Sequence, residues 1–155
     1  MTFLVRFARS IFFASILSGG ISACMDTNTL NQKTVKEIDK LASLLPDDGV
    51  LILSQATDFD WDTVFVFPPY SSGTLIAKAV QADIEQDISD TGIENRDDIS
   101  VFVFKKNSGA IVMAIPRSTM DITDNRAESG IARKVASFRK VAPGNGRAFV
   151  MSSIP

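Results

Sequence analysis

The stretch that decides the fold is Ile99-Ser100-Val101-Phe102-Val103-Phe104-Lys105-Lys106-Asn107-Ser108-Gly109-Ala110-Ile111-Val112-Met113-Ala114-Ile115. Two runs rich in β-branched and aromatic residues flank a short polar loop, Lys105 to Gly109, that contains a glycine. That is the pattern of a β-hairpin.

Upstream of the hairpin, Thr63-Val64-Phe65-Val66-Phe67 reads as another strand. Pro68-Pro69 closes it, because proline has no N–H to give to a ladder. Ser71-Ser72-Gly73-Thr74 offers N-cap hydroxyls before a helix predicted over Leu75 to Ile88. In that segment Ile76, Val80, Ile84 and Ile88 recur at every fourth position, with Asp83, Glu85 and Asp87 on the other side. Earlier still, Val35, Ile38, Leu41, Ala42 and Leu45 follow helical spacing over Thr34 to Leu45. Pro46-Asp47-Asp48-Gly49 stops that helix and turns the chain into an apolar strand, Val50-Leu51-Ile52-Leu53. Downstream, a short helix is expected around Ala127 to Ala136, and a last strand over Arg147 to Ser153 after the turn Pro143-Gly144-Asn145-Gly146. Strands in adjacent runs, separated by helices, predict an α+β domain. The expected sheet is antiparallel or mixed, of about five strands, with two or three helices packed mainly on one face. Phe65, Phe67, Phe102 and Phe104 are expected between sheet and helices.

The first residues have a different character. Arg6 and Arg9 carry the only charges before Asp26, and the apolar run Ile11-Phe12-Phe13-Ala14-Ser15-Ile16-Leu17 leads to Ser18-Gly19-Gly20. A basic n-region, a short apolar h-region and small residues are the parts of a secretory signal peptide. A spanning helix needs about 20 predominantly apolar residues; here serines and glycines break a shorter run. The four residues Ile21-Ser22-Ala23-Cys24 then resemble the lipobox of bacterial lipoproteins: an aliphatic residue, two small ones and a cysteine. The resemblance implies that Cys24 receives a diacylglyceryl group, that residues 1–23 are cut away, and that the new amine is acylated, with palmitate the typical chain. Residues 24–32 become a lipidated cysteine with a short tether, and residues 33–155 the single domain. Met25, in place of the aspartate that retains such proteins in the inner membrane of enteric-type bacteria, implies the outer membrane, facing the periplasm. In a Gram-positive host the same anchor implies the outer face of the cell membrane.

Composition removes several chemistries. The 155 residues contain no histidine and one cysteine, so Ser-His-Asp and Cys-His sets cannot form. A lone cysteine also excludes an intramolecular disulfide. Without residues 1–23 the chain carries 14 basic and 18 acidic side chains, a net −4, which gives no general signature of nucleic-acid binding. The charge is uneven. Cys24 to Asp98 holds 15 acids and 5 bases, and Ile99 to Pro155 holds 3 acids and 9 bases. Either the two parts neutralise each other on folding, or Arg126, Arg133, Lys134, Arg139, Lys140 and Arg147 form a basic face for anionic lipid or an acidic partner.

One constellation invites a chemical reading, Asp58-Phe59-Asp60-Trp61-Asp62. Asp at alternate positions begins an EF-hand calcium loop, yet that loop needs glycine where Thr63 stands and glutamate where Pro69 stands. In extended backbone the three carboxylates share one face, and Phe59 and Trp61 the other. Phe59 to Tyr70 resembles a segment of small bacterial lipoproteins and exported proteins, in which an aromatic-rich strand ends in a Pro-Tyr turn before a helix. It covers a dozen residues and implies no activity. Trp61 and Tyr70 bracket the strand either as packing anchors or as an aromatic recognition surface.

The leading expectation is a non-catalytic envelope lipoprotein, with covalent lipid and no other cofactor, whose domain binds an envelope protein as an assembly factor, inhibitor or immunity-type protein. Candidate contacts are Asp58, Asp60, Trp61, Asp62 and Tyr70. The rival is a small envelope hydrolase using two carboxylates about 5–10 Å apart, with a Ser-Lys hydrolase through Lys78, Lys105 or Lys106 formally open. A calcium- or ligand-binding module is the third.

Overall fold

The hairpin lies at the centre of the molecule. In the computed structural model, which describes residues 27–122, 128–141 and 148–151, it consists of β3 (Ile99–Lys106) and β4 (Gly109–Pro116). Its turn is shorter than the five-residue loop expected: Lys106 pairs with Gly109, leaving Asn107 and Ser108 as the two loop residues. Asn107 takes the left-handed φ of 53° that tight hairpins demand. Every residue from Ile99 to Phe104 is buried, so β3 is covered on both faces.

Strand β2 (Thr63–Phe67) lies antiparallel on the other side of β3, with Phe65 opposite Val103, and β6 (Ile131–Ala132) pairs beyond it. The result is an antiparallel sheet in the order β4-β3-β2-β6. A second, mixed sheet orders β1 (Val50–Ile52), β7 (Ser137–Lys140), β8 (Ala148–Met151) and β5 (Asp121–Ile122), the β5–β8 pair being parallel. The fold is α+β, with its strands divided between two sheets of four.

The two faces of the central sheet carry separate cores. On one, Phe65, Phe67, Val101 and Val103 pack against Ile76, Ala77 and Val80 of α2 (Gly73–Val80) and Ile88 of α3 (Glu85–Thr91). On the other, Val64, Phe102, Phe104 and Met113 meet Ile38 and Ala42 of α1 (Thr27–Leu44) together with Leu51, Phe138 and Phe149 of the second sheet. Helices therefore cover both faces: α2 and α3 one, α1 and the second sheet the other. Among the described residues no helix is long and apolar enough to cross a membrane.

Four expectations are corrected in detail. Helix α1 begins at Thr27, so residues 27–32, expected as tether, are its first turns. The single helix over Leu75 to Ile88 is broken: Gln81 adopts φ 56° and its N–H closes onto Ala77 O. Fourth-position spacing drifts by about 40° per step around a helix of 3.6 residues per turn. The break returns Ile84 and Ile88 to the core, where both are buried. The cap of α2 is not a serine hydroxyl; Gly73 N–H donates to Glu94 Oε1 at 2.6 Å, from 21 residues away.

The helix expected at Ala127 to Ala136 is the fourth. Residues 123–127 lie outside the described ones; Glu128 and Ser129 lie in a 3-10 turn, and after Gly130 come β6 and a further 3-10 turn, Arg133–Val135. Gly130, at φ 85°, stops helical propagation and lets Ile131 pair with Val64. A Cβ at Gly130 would lie 2.8 Å from the Phe65 ring. Gly130→Ala combines left-handed strain of about 1–2 kcal/mol with overpacking of about 1–3 kcal/mol. Urea unfolding is expected to show a loss of roughly 2–5 kcal/mol, with no change in the far-ultraviolet spectrum.

Residues 21–24, which resemble a lipobox, and Arg126 and Arg147 lie outside the described residues. Most of the last strand, expected over Arg147 to Ser153, is seen as β8.

Candidate functional site

Strand register gathers the site. Asp62 N–H donates to Lys105 O at 2.8 Å, and Arg133 N–H donates to Asp62 O at 2.8 Å. The segment before β2 is thus clamped between the end of β3 and the residue after β6. Side chains separated by 46 and 73 positions in sequence meet as a consequence: Lys106 Nζ lies 2.7 Å from Asp60 Oδ2, and Arg133 Nη1 3.3 Å from Asp60 Oδ1.

Beneath this charge pair lies Trp61, 2% exposed. Its Nε1–H donates to Thr57 Oγ1 at 2.9 Å, and its ring stands edge-on to Phe104 at 5.3 Å. The Arg133 guanidinium sits 5.4 Å from the ring centroid, within cation–π range. An open cleft of about 360 Å³ is lined by Asp60, Trp61, Asp62, Lys106, Arg133 and Lys134.

The alternation expected from Asp58 to Asp62 is present: the three acids are exposed, Phe59 is half-buried and Trp61 buried. The acids do not converge. Asp58 pairs with Lys33 of α1, whereas Asp60 pairs with Lys106 and Arg133. Among the described residues no group of three His, Cys, Asp or Glu side chains is placed to hold a metal ion. Trp61 is a packing anchor, not an exposed recognition ring. Tyr70 sits past the opposite end of β2, 64% exposed, with φ 64° and its N–H held by Ile93 O at 2.9 Å. The structure therefore joins Asp60, Trp61 and Asp62 and leaves Asp58 and Tyr70 apart from them.

The hydrogen bond from Lys106, and then that ion pair's attraction, hold the Asp60 carboxyl below its ordinary value of 3.8. Lys33 does the same for Asp58, again mainly through its hydrogen bond. A general acid in glycoside hydrolysis needs the opposite shift, a carboxyl still protonated near neutrality. Two of the three lysines offered for a Ser-Lys pair are engaged elsewhere: Lys105 Nζ donates to Val80 O at 2.6 Å, closing the end of α2, and Lys106 serves Asp60; Lys78 is exposed on α2. Ser71 Oγ donates to Pro68 O at 2.6 Å.

A depressed carboxyl stabilises the fold above its unfolded value, and that contribution disappears as pH falls through the lower folded value. Asp60→Asn is accordingly expected to lower stability slightly at pH 7, the difference from wild type shrinking below pH 3.8 and vanishing once Asp60 is protonated. Paired urea titrations across that range check the sign. The effect is small because the side chain is 73% exposed.

The uneven charge along the chain is resolved partly by pairing. Asp60 with Lys106, Asp60 with Arg133, and Asp48 with Arg139 at 3.8 Å each join an acid of the first part to a base of the second.

Compared with family models, curated proteins and solved structures, the chain matches none. Lys33, Lys106 and Lys134 were not singled out with the Asp60 constellation by the sequence. No local pattern marks them, since only strand register and the packing of α1 bring them near.

Proposed function

We propose that this chain is a membrane-anchored envelope lipoprotein whose α+β domain binds another macromolecule without catalysing its conversion. The observation that carries the anchor is Ile21-Ser22-Ala23-Cys24, behind a basic and apolar leader and three residues before the first described helix begins at Thr27. Lipid on Cys24 would keep the domain close to the bilayer surface, with only Met25 and Asp26 between them. In a Gram-negative host that surface is the periplasmic face of the outer membrane.

Binding is favoured over hydrolysis by the state of the acids. Asp58 and Asp60 are held ionised by cations, and the open cleft over Trp61 presents paired charges and no aligned nucleophile and base. Such a surface recognises a polar partner through charge complementarity, which sets orientation and association rate.

The test is crosslinking in living cells of tagged wild-type protein beside Cys24→Ala, followed by mass spectrometry. One envelope protein captured by wild type and lost from Cys24→Ala supports a tethered binding role and names the partner. Recovery of abundant porins alone removes it.

A further inference from the structure

Strand β4 is the edge of the central sheet. Its outward hydrogen-bonding groups follow from register. The two-residue turn makes Lys106 and Gly109 a bonded pair, so alternate residues Gly109, Ile111, Met113 and Ile115 face β3. Ala110, Val112 and Ala114 then turn their N–H and C=O groups away from the sheet. Two contacts agree with that parity. Lys105 O is used on the β2 side, by Asp62 N–H, and Val112 O is used from outside, by Asn31 Nδ2 at 3.3 Å. No N–H of Ala110, Val112 or Ala114 has a partner among the described residues.

This edge is unusual in lying at the floor of a groove. Helix α1 passes along one side and α3 along the other, leaving two adjoining clefts of about 480 and 350 Å³. Asn31 lines both, and its Oδ1 is buried with no partner. Ala110 and Ala114 are half-buried, and both line the cleft with small side chains. On the α3 side, Asp87 and Asp90 line the cleft over Ala110 and Val112, and no cation pairs with either among the described residues.

We propose that β4 takes an extended peptide as an added strand, with a lysine or arginine of that peptide placed against Asp87 and Asp90. The inference deepens the binding reading above and rests on it. Backbone groups of the peptide would pair with the outward N–H and C=O groups of Ala110 and Ala114 and with the N–H of Val112, taking the place of Asn31 on Val112 O, which gives affinity without sequence. The acidic wall and the alternate-residue pockets would give selectivity, as in other strand-addition sites.

The test uses the lipidated protein in detergent micelles and three fluorescent decapeptides. One alternates valine and threonine with two lysines, the second replaces the lysines by glutamates, and the third keeps the lysines but carries proline at every second position. The first is expected to bind, slowing exchange of the Ala110, Val112 and Ala114 amides, while the other two bind at least tenfold more weakly. Ala114→Pro removes only an outward N–H, which edge strands tolerate, and is expected to weaken the lysine peptide at least tenfold with an unchanged circular dichroism spectrum. Asp87→Asn with Asp90→Asn is expected to weaken it several-fold. Equal binding by wild type and Ala114→Pro overturns the proposal. So does edge protection that appears without peptide and grows with protein concentration, since a second copy then occupies β4. In cells, a partner captured by wild type and by Ala114→Pro alike leaves the binding reading standing and overturns the edge. No specific partner for wild type overturns both.

Discussion

Trp61→Ala is expected to destabilise the domain by about 3–5 kcal/mol, the range for removing a large aromatic side chain from a core. Folded domains hold only about 5–15 kcal/mol in total, so at least about a fifth of the stability rests on this ring, and the melting temperature should fall by roughly 10–20 °C. The reason is position. Trp61 is 2% exposed, contacts Phe104 edge-on, satisfies Thr57 and supports Arg133 from below. Trp61→Phe separates these roles. It keeps an aromatic body but leaves Thr57 Oγ1 without its donor, and a loss of about 1–2 kcal/mol is expected for that group. Urea unfolding followed by circular dichroism measures both. An alanine variant as stable as wild type would show that the ring is not the anchor its burial implies.

The second large effect concerns attachment. Cys24→Ala is expected to abolish incorporation of radiolabelled palmitate completely and to leave residues 1–23 on the chain, because the proposed processing begins at the cysteine sulfur. The magnitude follows from the chains themselves: each buried methylene contributes about 0.8 kcal/mol, and one acyl chain alone holds only marginally. Two or three chains on one residue would therefore account for nearly all of the membrane affinity. Continued labelling of Cys24→Ala would place the lipid elsewhere.

Elements whose signals are local were legible in the sequence. The hairpin, strand β2 and the amphipathic α1 each carry a run of the right period over enough residues to stand out. Strands β5, β6 and β7 did not: Asp121–Ile122 and Ile131–Ala132 are two residues long, too short for any period to register. Ser137–Lys140 has only Phe138 as a large apolar residue. Such strands exist because longer neighbours offer them a ladder, which is tertiary information. The break at Gln81 was hidden for a related reason, since fourth-position spacing suits a continuous helix locally and fails only as its drift accumulates against a flat sheet. In the site, alternation from Asp58 to Asp62 was legible, while the partners Lys106 and Arg133 came from register. The open edge of β4 was not legible at all: an edge strand and a central strand read alike when both are apolar.

The anchor is tested most directly by the intact mass of the wild-type protein extracted from its own membranes. The expected species is a chain that begins at Cys24, lacks residues 1–23, and carries the added mass of a diacylglyceryl group with or without a third acyl chain. A chain that retains residues 1–23, or one that begins at Cys24 with no lipid mass, would contradict it.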